Sequence, residues 1–428
     1  MTTTQPALTA ALARLAGVEA RAATPADAVA GVLPLVVAQP ADEGAAAATL
    51  AFANDAGHTV LLRGGGTQLG LGAPPTGGDI LLDMRRLNAV LEHNPGDITA
   101  TFQAGLPLAA AQRALGAARQ WLALDPDVGP GATVGGIVAT NATGARRLRY
   151  GGVRDQIIGV RVALADGTLA SGGGKVVKNV AGYDLPKLFT GSLGTLGVIV
   201  AATFRLYPRP AASATVAVTG DAPALCALAV RVIATQLMPA ALDVMGTSAD
   251  GAACRLLARF DSTPEAVADE AAQLYELAAA AGLAGARTLA EAEAADAWGA
   301  SLADAPGAAP GILLKASLLP TDVAPWLAAL GAHAATAGLA TRWRAHAGHG
   351  IVYARLTGPT PALLDAPAPL RAAAVERRGS LVVQDAPATL AAKLDIWGTS
   401  PALAVMRRLK ASFDPRGTLN PGRFIGGI

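Results

Sequence analysis

The segment Thr59-Val60-Leu61-Leu62-Arg63-Gly64-Gly65-Gly66-Thr67 runs from a short apolar stretch directly into three consecutive glycines. The apolar part predicts a strand, because it is short and bounded by turn-forming residues. Upstream, residues 35–40 predict another strand, which Pro40 ends. Residues 41–57 between them have helical character, and Gly57 marks the helix end. The order strand, helix, strand and glycine loop predicts a small α/β unit.

Between about 78 and 210, short strand-like runs alternate with glycine-rich turns. The clearest predicted strands are 80–83, 99–103, 160–165 and 198–207. Asp166-Gly167 predicts a hairpin turn ahead of a short strand at 168–170, because such turns need a positive φ that glycine adopts freely. Gly172-Gly173-Gly174 follows as a further glycine turn.

The remaining chain is richer in alanine and carries fewer motifs. Residues 5–17 predict a helix, and so does the segment 400–410, which ends at a turn at 413–417. The middle region predicts a separate α+β domain, with helices at 263–282 and 322–338 and strands at 352–356 and 381–384.

Composition limits the function classes. The chain has 428 residues, of which 52% are hydrophobic, and a formal net charge of +2. This length predicts two or three folding units, and the near-neutral charge argues against nucleic-acid binding. Two cysteines, Cys226 and Cys254, are too few for an iron–sulfur cluster and are expected to be buried thiols.

No segment predicts a membrane span. The apolar stretch 28–38 is too short and contains Pro34, and residues 1–20 lack a basic region followed by a long apolar run. We therefore expect a cytoplasmic protein, which leaves open a peripheral position at the inner membrane through its partners.

Three glycine-dense segments, at 63–67, 129–144 and 191–197, need a common explanation. Glycine lets backbone N–H groups converge on an anion without a Cβ in the way, an arrangement that suits a pyrophosphate. Neither the nucleotide-binding G-x-x-x-x-G-K-[ST] pattern nor a G-x-G-x-x-G at the first strand–helix turn is present. Each segment alone could be a plain tight turn, but three in one region favour binding.

In this order, the segments resemble the FAD-binding domain of the vanillyl-alcohol oxidase / p-cresol methylhydroxylase (PCMH) type. The matching runs are Val36–Pro40 with Arg63–Thr67, Leu124–Pro126, Ala132–Gly144, Tyr150–Asp155, Val177–Asp184, Gly191–Ile199, Leu409–Pro415 and Leu419–Phe424. The resemblance covers about 36–210 and 396–428 well and the middle only loosely.

The resemblance implies an α+β fold in four parts. An N-terminal helical segment covers 1–29, and a two-part α/β FAD-binding domain of the PCMH type covers 30–210. An α+β cap domain covers 211–395, and a C-terminal segment, 396–428, returns to complete the FAD domain. FAD is expected between the FAD domain and the cap.

The resemblance also places the cofactor. The pyrophosphate is expected on Gly64–Thr67 and Gly131–Gly136, and the isoalloxazine near Asn141–Gly144 and the entry to the strand at Gly194–Ile199. The cofactor-binding residues are therefore expected to be Arg63, Gly64, Gly65, Gly66, Thr67, Pro126, Gly131, Thr133, Gly135, Gly136, Asn141, Gly144, Gly194, Gly197 and Ile199.

Attachment of FAD is expected to be noncovalent. Some members of the family bind FAD through a His next to the first glycine loop or a Cys in the second region. Here Thr67 and Gln68 follow the glycines, and no Cys lies near 131–150.

Within the family, the chain most resembles the FAD-binding subunits of glycolate oxidase complexes. The run 174–185 points to these subunits, and so does Leu193, where catalytic companions usually carry Glu. The resemblance implies two partners, a catalytic flavoprotein subunit and an iron–sulfur subunit, with a small 2-hydroxy acid as substrate.

No catalytic base is assigned by the sequence. Oxidation of a 2-hydroxy acid needs a base for the hydroxyl proton, usually His. The stretch Arg344–Val352 resembles an incomplete form of the His-x-Gly-Asp-Gly-Asn-x-His segment of catalytic relatives. It lacks the acidic residue and the last His. His346 and His349 are the candidates, with a packed or surface histidine pair as the alternative. Gly348 and Gly350 predict a loop here, and no metal site is expected.

A small basic cluster, Arg146, Arg147, Arg149 and Arg154, lies near the expected flavin region. Three roles stay open for it: a clamp for a carboxylate or for the flavin phosphate, a face for docking a partner, and simple solvated charge.

Three functions remain in view. The first is the FAD-binding subunit of a glycolate oxidase complex, which oxidises glycolate to glyoxylate and passes electrons to its partners. The second is a self-sufficient FAD-dependent dehydrogenase for 2-hydroxy acids such as D-lactate. The third is a flavin-free scaffold subunit.

Overall fold

A computed structural model describes residues 4–175, 182–247, 254–283, 285–302 and 311–428. The chain forms two compact units. Unit 1 comprises residues 1–143, 152–209 and 399–428, and unit 2 comprises residues 144–151 and 210–398. The expected boundaries at 210 and 395 lie near those of the units, residues 1–29 group with unit 1, and residues 144–151 group with unit 2. Residues 176–181 of the run 174–185 lie outside the described part.

Helices and strands are interspersed along the described chain. The α-helices are α1 (Gln5–Ala13), α2 (Glu43–Ala56), α3 (Leu108–Gly116), α4 (Val134–Thr140), α5 (Arg147–Tyr150), α6 (Val153–Gln156), α7 (Leu185–Phe189), α8 (Ala222–Ile233), α9 (Pro264–Ala280), α10 (Glu291–Gly299), α11 (Val323–Ala337), α12 (Thr360–Asp365), α13 (Pro367–Glu376), α14 (Ala388–Ala391) and α15 (Leu403–Phe413). The strands are β1 (Val18–Ala22), β2 (Val36–Pro40), β3 (Val60–Arg63), β4 (Ile80–Asp83), β5 (Val90–Asn94), β6 (Thr99–Gln103), β7 (Gln120–Trp121), β8 (Ile157–Ala163), β9 (Leu169–Gly173), β10 (Val198–Arg205), β11 (Tyr207–Pro208), β12 (Ala212–Gly220), β13 (Ala241–Thr247), β14 (Cys254–Ser262), β15 (Arg287–Thr288), β16 (Gly311–Ser317), β17 (Ala340–His346), β18 (Ile351–Thr357) and β19 (Ser380–Asp385).

Unit 1 contains two main sheets. The first has the order β1-β2-β4-β3, with β2, β4 and β3 parallel and β1 antiparallel to β2. Its central strands are almost continuously apolar, as expected for strands that are covered on both faces. The second sheet is antiparallel, with the order β5-β6-β10-β8-β9. The predicted α/β start and the β8–β9 hairpin with Gly167 at φ +84° are confirmed.

Two local predictions were wrong. The N-terminal segment, predicted to be helical, contains β1, which pairs along its length with β2. Only Val18 of β1 is buried, so its sequence carries little strand periodicity, and the pairing itself decides the conformation. Gly172 and Gly173, predicted as a turn, belong to β9, where a Cβ on Gly173 would lie 2.1 Å from the Ile158 carbonyl oxygen.

Unit 2 is an eight-stranded antiparallel sheet of order β15-β12-β14-β13-β17-β18-β16-β19, against which α8, α9, α11 and α13 pack. Side chains alternate along these strands, so Asp243 and His346 lie on the face opposite to Val244 and Ala345. Cys226 and Cys254 are buried and unpaired, as expected. Within the described residues, no helix is both long and apolar enough to cross a membrane.

A buried ion-pair network anchors the end of β3, where the first glycine loop begins. Arg63 donates from one terminal nitrogen to Asp27 and from the other to Asp83, each at 2.9 Å. Hydrogen bonds from Arg21 lower the pKa of Asp27 against the effect of burial. Burial opposes ionisation of Asp83, but hydrogen bonds from Arg85 and Arg63 outweigh it, so its pKa is also lowered. The Arg63 guanidinium is therefore engaged by two carboxylates.

The network yields a prediction about stability. We expect Arg63→Leu to destabilise the apoprotein by about 3 kcal/mol, the lower end for a broken buried ion pair, because Arg21 and Arg85 still face the two acids. Groups with lowered pKa stabilise the fold above their unfolded pKa and lose that contribution on acidification. The loss of unfolding free energy caused by Arg63→Leu should thus be largest above about pH 5 and become smaller below about pH 4. Urea unfolding across this range measures it.

Exposed Arg113 on α3 gives the matched control. Arg113→Leu should change stability by less than about 0.5 kcal/mol at every pH. An Arg63→Leu deficit that is equally small, or that does not depend on pH, would contradict the role of the network.

Candidate functional site

A cleft lies within unit 1, with about 900 Å³ of empty space that includes space open to solvent. It is lined by the first glycine loop with its flanks, by α4, and by residues from the third glycine segment and the C-terminal segment. The lining residues are Val29, Leu62, Arg63, Gly64, Gly65, Gly66, Thr67, Gln68, Leu69, Leu71, Met84, Ala104, Ala132, Thr133, Gly135, Gly136, Ile137, Ala139, Thr140, Leu193, Gly194, Val198, Ile199, Asn420 and Arg423.

The first glycine loop offers unused hydrogen-bond donors. The backbone N–H groups of Gly65, Gly66 and Thr67 bond to no acceptor in the part of the chain that the structure describes. Gly66 has φ +77°, a conformation that glycine adopts at little cost. Successive N–H groups without an internal partner at a cleft form an anion-binding arrangement.

The first and second glycine segments touch through their backbones. A Cβ on Gly65 would lie 1.8 Å from the Gly131 carbonyl oxygen, and one on Gly64 would lie 2.3 Å from the Thr133 hydroxyl. These approaches leave no room for a side chain on either residue. The glycines at these two positions are therefore explained by loop-to-loop packing.

The start of α4 in the second segment differs from the first loop, because the N–H groups of Val134, Gly135 and Gly136 are already used. The N–H groups of Val134 and Gly135 donate to the carbonyls of Leu106 and Ala104 at 2.9 and 2.7 Å. The next N–H, that of Gly136, donates to the Thr133 hydroxyl at 3.4 Å. A Cβ on Gly135 would meet the Ala104 Cβ at 2.6 Å, so Gly135 packs against the neighbouring chain. The start of α4 therefore supplies a wall of the cleft rather than a set of donors.

The third segment is tied to the end of α4. Leu193 has φ +51°, which is uncommon for a leucine, and its N–H donates to the Ala139 carbonyl at 2.9 Å. Gly194 and Ile199 line the cleft. Gly197 does not, because a Cβ there would meet the Phe189 ring at 3.0 Å, so this glycine serves packing.

Most of the expected cofactor residues come together in this cleft. Arg63 to Thr67, Thr133, Gly135, Gly136, Gly194 and Ile199 line it, whereas Pro126, Gly131, Asn141, Gly144 and Gly197 are not among the lining residues. The carbonyl group of Gly131 packs against Gly65, which does line the cleft. Asn141 ends α4 in the left-handed conformation at φ +50°. Gly144 groups with unit 2.

Four polar lining residues were not among the expected cofactor residues: Gln68, Thr140, Asn420 and Arg423. The Thr140 hydroxyl lies 2.6 Å from the Gln68 side-chain oxygen and 2.8 Å from the Gly136 carbonyl. Asn420 and Arg423 belong to the run Leu419–Phe424 that carries part of the resemblance, and this was the signal that could have found them.

Arg423 organises the loop that follows the first glycine segment. Its guanidinium donates to the carbonyls of Leu69, Leu71 and Ala73 at 2.7, 2.5 and 3.1 Å. Burial lowers the pKa of Arg423 to about 10. The side chain thus fixes the path of the chain from 69 to 73 along the cleft.

A second polar centre lies within unit 2. His346 Nδ1 is 2.7 Å from Asp243 Oδ1, and both residues are buried. Arg344 Nε lies 3.0 Å from the other carboxylate oxygen as an ion pair without hydrogen-bond geometry. The sequence segment around His346 lacks an acid, but β13 supplies one about a hundred positions earlier. A carboxylate on Nδ1 directs the other ring nitrogen to act as proton acceptor.

His349 has a different environment. It lies in the turn that follows β17, as its flanking glycines predicted. Burial lowers its pKa to about 3, so it is neutral at physiological pH. Neither ring nitrogen has a hydrogen-bond partner in the described part of the chain. Of the two histidine candidates, only His346 has a group that orients it.

Two members of the basic cluster lie in different units. Arg149 donates to the Asp261 carbonyl at 2.7 Å inside unit 2, and Arg154 is exposed on α6 in unit 1. Across the described residues, no three His, Cys, Asp or Glu side chains are grouped in a way that could hold a metal ion.

Two segments that contribute to the cleft match known protein families. Residues 34–173 match the family described as FAD binding domain, and residues 398–424 match the one described as FAD linked oxidases, C-terminal domain. An alkyldihydroxyacetonephosphate synthase structure matches with a TM-score of 0.68 and 16% identity, over 91% of this chain and 77% of that one. At this identity, the likeness concerns the fold.

Three curated relatives match over part of their length. Glycolate oxidase subunit GlcD from Bacillus subtilis is 37% identical over 44% of this chain and 40% of its own. D-lactate dehydrogenase from Archaeoglobus fulgidus is 38% identical over 49% and 47%, and glycolate oxidase subunit GlcE from Escherichia coli is 39% identical over 36% and 44%. The chain thus spans less than half of the length of each of these three relatives.

The expected type of FAD-binding domain is confirmed, together with the expected fold class. Residues 34–173 are thus similar to a PCMH-type FAD-binding domain, and residues 398–424 are similar to the C-terminal domain of FAD linked oxidases.

Proposed function

We propose that the chain is the FAD-binding subunit of a complex that oxidises a small 2-hydroxy acid of the glycolate type and passes the electrons to partner subunits. The observation that carries this proposal is the cleft of unit 1, where Gly65, Gly66 and Thr67 present three backbone N–H groups without acceptors. The relatives GlcD and GlcE are both named as glycolate oxidase subunits.

The residues present fit FAD. Its pyrophosphate would take the unused N–H groups of the first glycine loop, because the first N–H groups of α4 already donate to Ala104, Leu106 and Thr133. Arg63 would act indirectly, since its guanidinium is paired with Asp27 and Asp83. The apolar walls at Ile137, Leu193 and Ile199 would cover the flat ring system.

The cofactor supplies the acceptor for the hydride from the substrate α-carbon. The chain's own residues hold it and keep water from one side. Apart from the guanidinium groups of Arg63 and Arg423, the described lining of the cleft contains no ionisable side chain, so no residue there could take the substrate hydroxyl proton. This supports a division of labour in which proton removal occurs elsewhere, with a catalytic flavoprotein and an iron–sulfur subunit as the proposed partners.

One observation favours a second candidate, a self-sufficient 2-hydroxy-acid dehydrogenase. His346 is a buried histidine with Asp243 at 2.7 Å, the arrangement that orients a general base. One of the relatives is named as a D-lactate dehydrogenase. The two candidates differ in whether the chain turns over substrate by itself.

The first prediction concerns attachment of the cofactor. We expect noncovalent FAD, because the described lining of the cleft contains no His, Cys or Tyr to form a bond with the flavin ring. Acid precipitation should leave a colourless pellet and a yellow supernatant. A pellet that keeps the flavin absorbance after washing would contradict this.

The second prediction uses two neighbouring glycines on α4. A Cβ on Gly136 would come within 4 Å only of the Thr133 hydroxyl, at 3.2 Å, so Gly136→Val should project into the cleft. The Kd of the variant for FAD should rise at least about tenfold. The melting temperature of the apoprotein should stay within about 4 °C of the wild-type value. Equilibrium dialysis and circular dichroism measure the two quantities.

Gly135→Val is the contrasting variant. Its side chain would press on Ala104 rather than on a ligand, so it should lower the melting temperature of the apoprotein itself. Full flavin occupancy in folded Gly136→Val would show that the cofactor lies elsewhere.

The third prediction separates the two candidate functions. Purified alone, the chain should oxidise glycolate and D-lactate with an artificial acceptor slowly, and co-expression with the products of neighbouring genes should raise the rate per flavin at least about tenfold. Equal rates in the two preparations would favour the self-sufficient enzyme. In that case, His346→Gln should abolish turnover by the isolated chain without loss of FAD.

A further inference from the structure

Asn420 bridges two of the glycine segments of the cleft. Its side-chain oxygen accepts from the Leu62 N–H at 3.1 Å, and its side-chain nitrogen donates to the Leu193 carbonyl at 2.6 Å. Leu62 closely precedes the first glycine loop, and Leu193 lies within the third segment. The two partners fix the orientation of the carboxamide, because a flipped amide would set donor against donor and acceptor against acceptor.

Backbone hydrogen bonds also hold Asn420 in place. Its N–H donates to the Val60 carbonyl at 2.9 Å, and the Val60 N–H donates to the Thr418 carbonyl at 2.7 Å. Residues 418–420 thereby extend the edge of the sheet at β3. Asn420 has φ +42°, in the left-handed region that asparagine tolerates better than most residues, and it is 7% exposed.

The buried Asp414 carboxylate fixes the segment from the other side. It accepts from the N–H groups of Thr418 and Leu419 at 2.9 and 2.8 Å and from Lys410 at 2.6 Å. Lys410 also donates to the Thr195 carbonyl at 2.8 Å. Asn420 is therefore presented to the two loops by a rigid support.

The bridge lies where the two segments approach each other closely. A Cβ on Gly194 would lie 2.3 Å from the Leu62 side chain and 3.3 Å from the Asn420 nitrogen, so the segments are in close contact there. Leu62, Leu193, Gly194 and Asn420 all line the cleft. The Asn420 carboxamide lies at this contact, on the wall of the cleft.

We propose that Asn420 is a positioning residue for the cofactor, whose carboxamide holds the first and third glycine segments at the separation that FAD requires. The inference rests on the proposed cofactor site in unit 1. It assigns to the C-terminal segment a part in cofactor affinity that goes beyond completing the fold.

The decisive variant is Asn420→Asp, which changes one atom of the bridge. One carboxylate oxygen can still accept from the Leu62 N–H, while the other now faces the Leu193 carbonyl. When ionised, the carboxylate repels that carbonyl, and when protonated, it can donate to it as the amide did. Burial and the facing carbonyl both raise the pKa of the new carboxyl group. Lowering the pH should therefore restore the bridge.

The measurement is equilibrium dialysis of FAD against the full-length apoprotein. At about pH 8, we expect Asn420→Asp to bind FAD at least about tenfold more weakly than the wild type, and at about pH 5.5 we expect most of that loss to be recovered. Asn420→Gly keeps the left-handed backbone but loses both bonds, so it should bind weakly at both pH values. Exposed Asn88 gives the control, since Asn88→Asp should bind like the wild type throughout.

Circular dichroism of the apoproteins separates positioning from folding. Normal affinity of Asn420→Asp at both pH values, or a loss that does not change with pH, would overturn the inference. So would unfolding of both Asn420 variants, since Asn420 would then be a residue of the fold alone. If Gly136→Val retains FAD, the proposed site itself is wrong. If it loses FAD while Asn420→Asp binds normally, only the positioning role of Asn420 fails.

Discussion

The cleft depends on pairing between β3 and a segment near the other end of the chain. Leu62 and Asn420 are hydrogen-bonded across 358 positions, and the buried Asp414 carboxylate holds residues 418 and 419 beside β3. Without this pairing, β3 would be an open edge with unpaired N–H and C=O groups. The first glycine loop starts where that edge ends, so its direction is set by residues that come last in the sequence.

Close backbone contact between loops is the second constraint, and it explains why the glycines fall into two kinds. Gly64, Gly65 and Gly135 are glycines because a Cβ would collide with Thr133, Gly131 or Ala104. Gly136 has space beyond its Cα, and Gly66 has a positive φ. The packing glycines bring the loops together, which leaves the N–H groups of Gly65, Gly66 and Thr67 without partners at the cleft. In the proposed cofactor site, this packing would favour an anionic ligand, since N–H groups that do not pair within the protein favour a ligand that accepts from them.

Charge is handled differently in the two units. In unit 1, Arg63 and Arg423 stand beside the cleft, but their guanidinium groups are spent on Asp27, Asp83 and backbone carbonyls. Both side chains therefore fix the loops, and the donors without partners at the cleft are the neutral N–H groups of Gly65, Gly66 and Thr67. In unit 2, Asp243 pairs with both His346 and Arg344 on the polar face of the sheet. A buried carboxylate with two basic partners is costly to assemble, and such centres are frequent at functional sites.

The sequence by itself determined the type of cofactor domain, the parallel start β2-α2-β3 and the hairpin at Gly167, because local patterns and glycine spacing encode them. It also indicated many of the lining residues of the cleft, since these lie in the glycine segments. Only the tertiary structure decided that the first N–H groups of α4 donate to neighbouring carbonyls and that the charge of Arg63 is paired with carboxylates. The same holds for the packing of Gly197 against Phe189. It also supplied the two partners that the local sequence lacks, Asp243 for His346 and Asn420 for the glycine loops. Each of these is a contact that depends on the folded chain, and a pattern read along one segment carries no information about which distant group will face it.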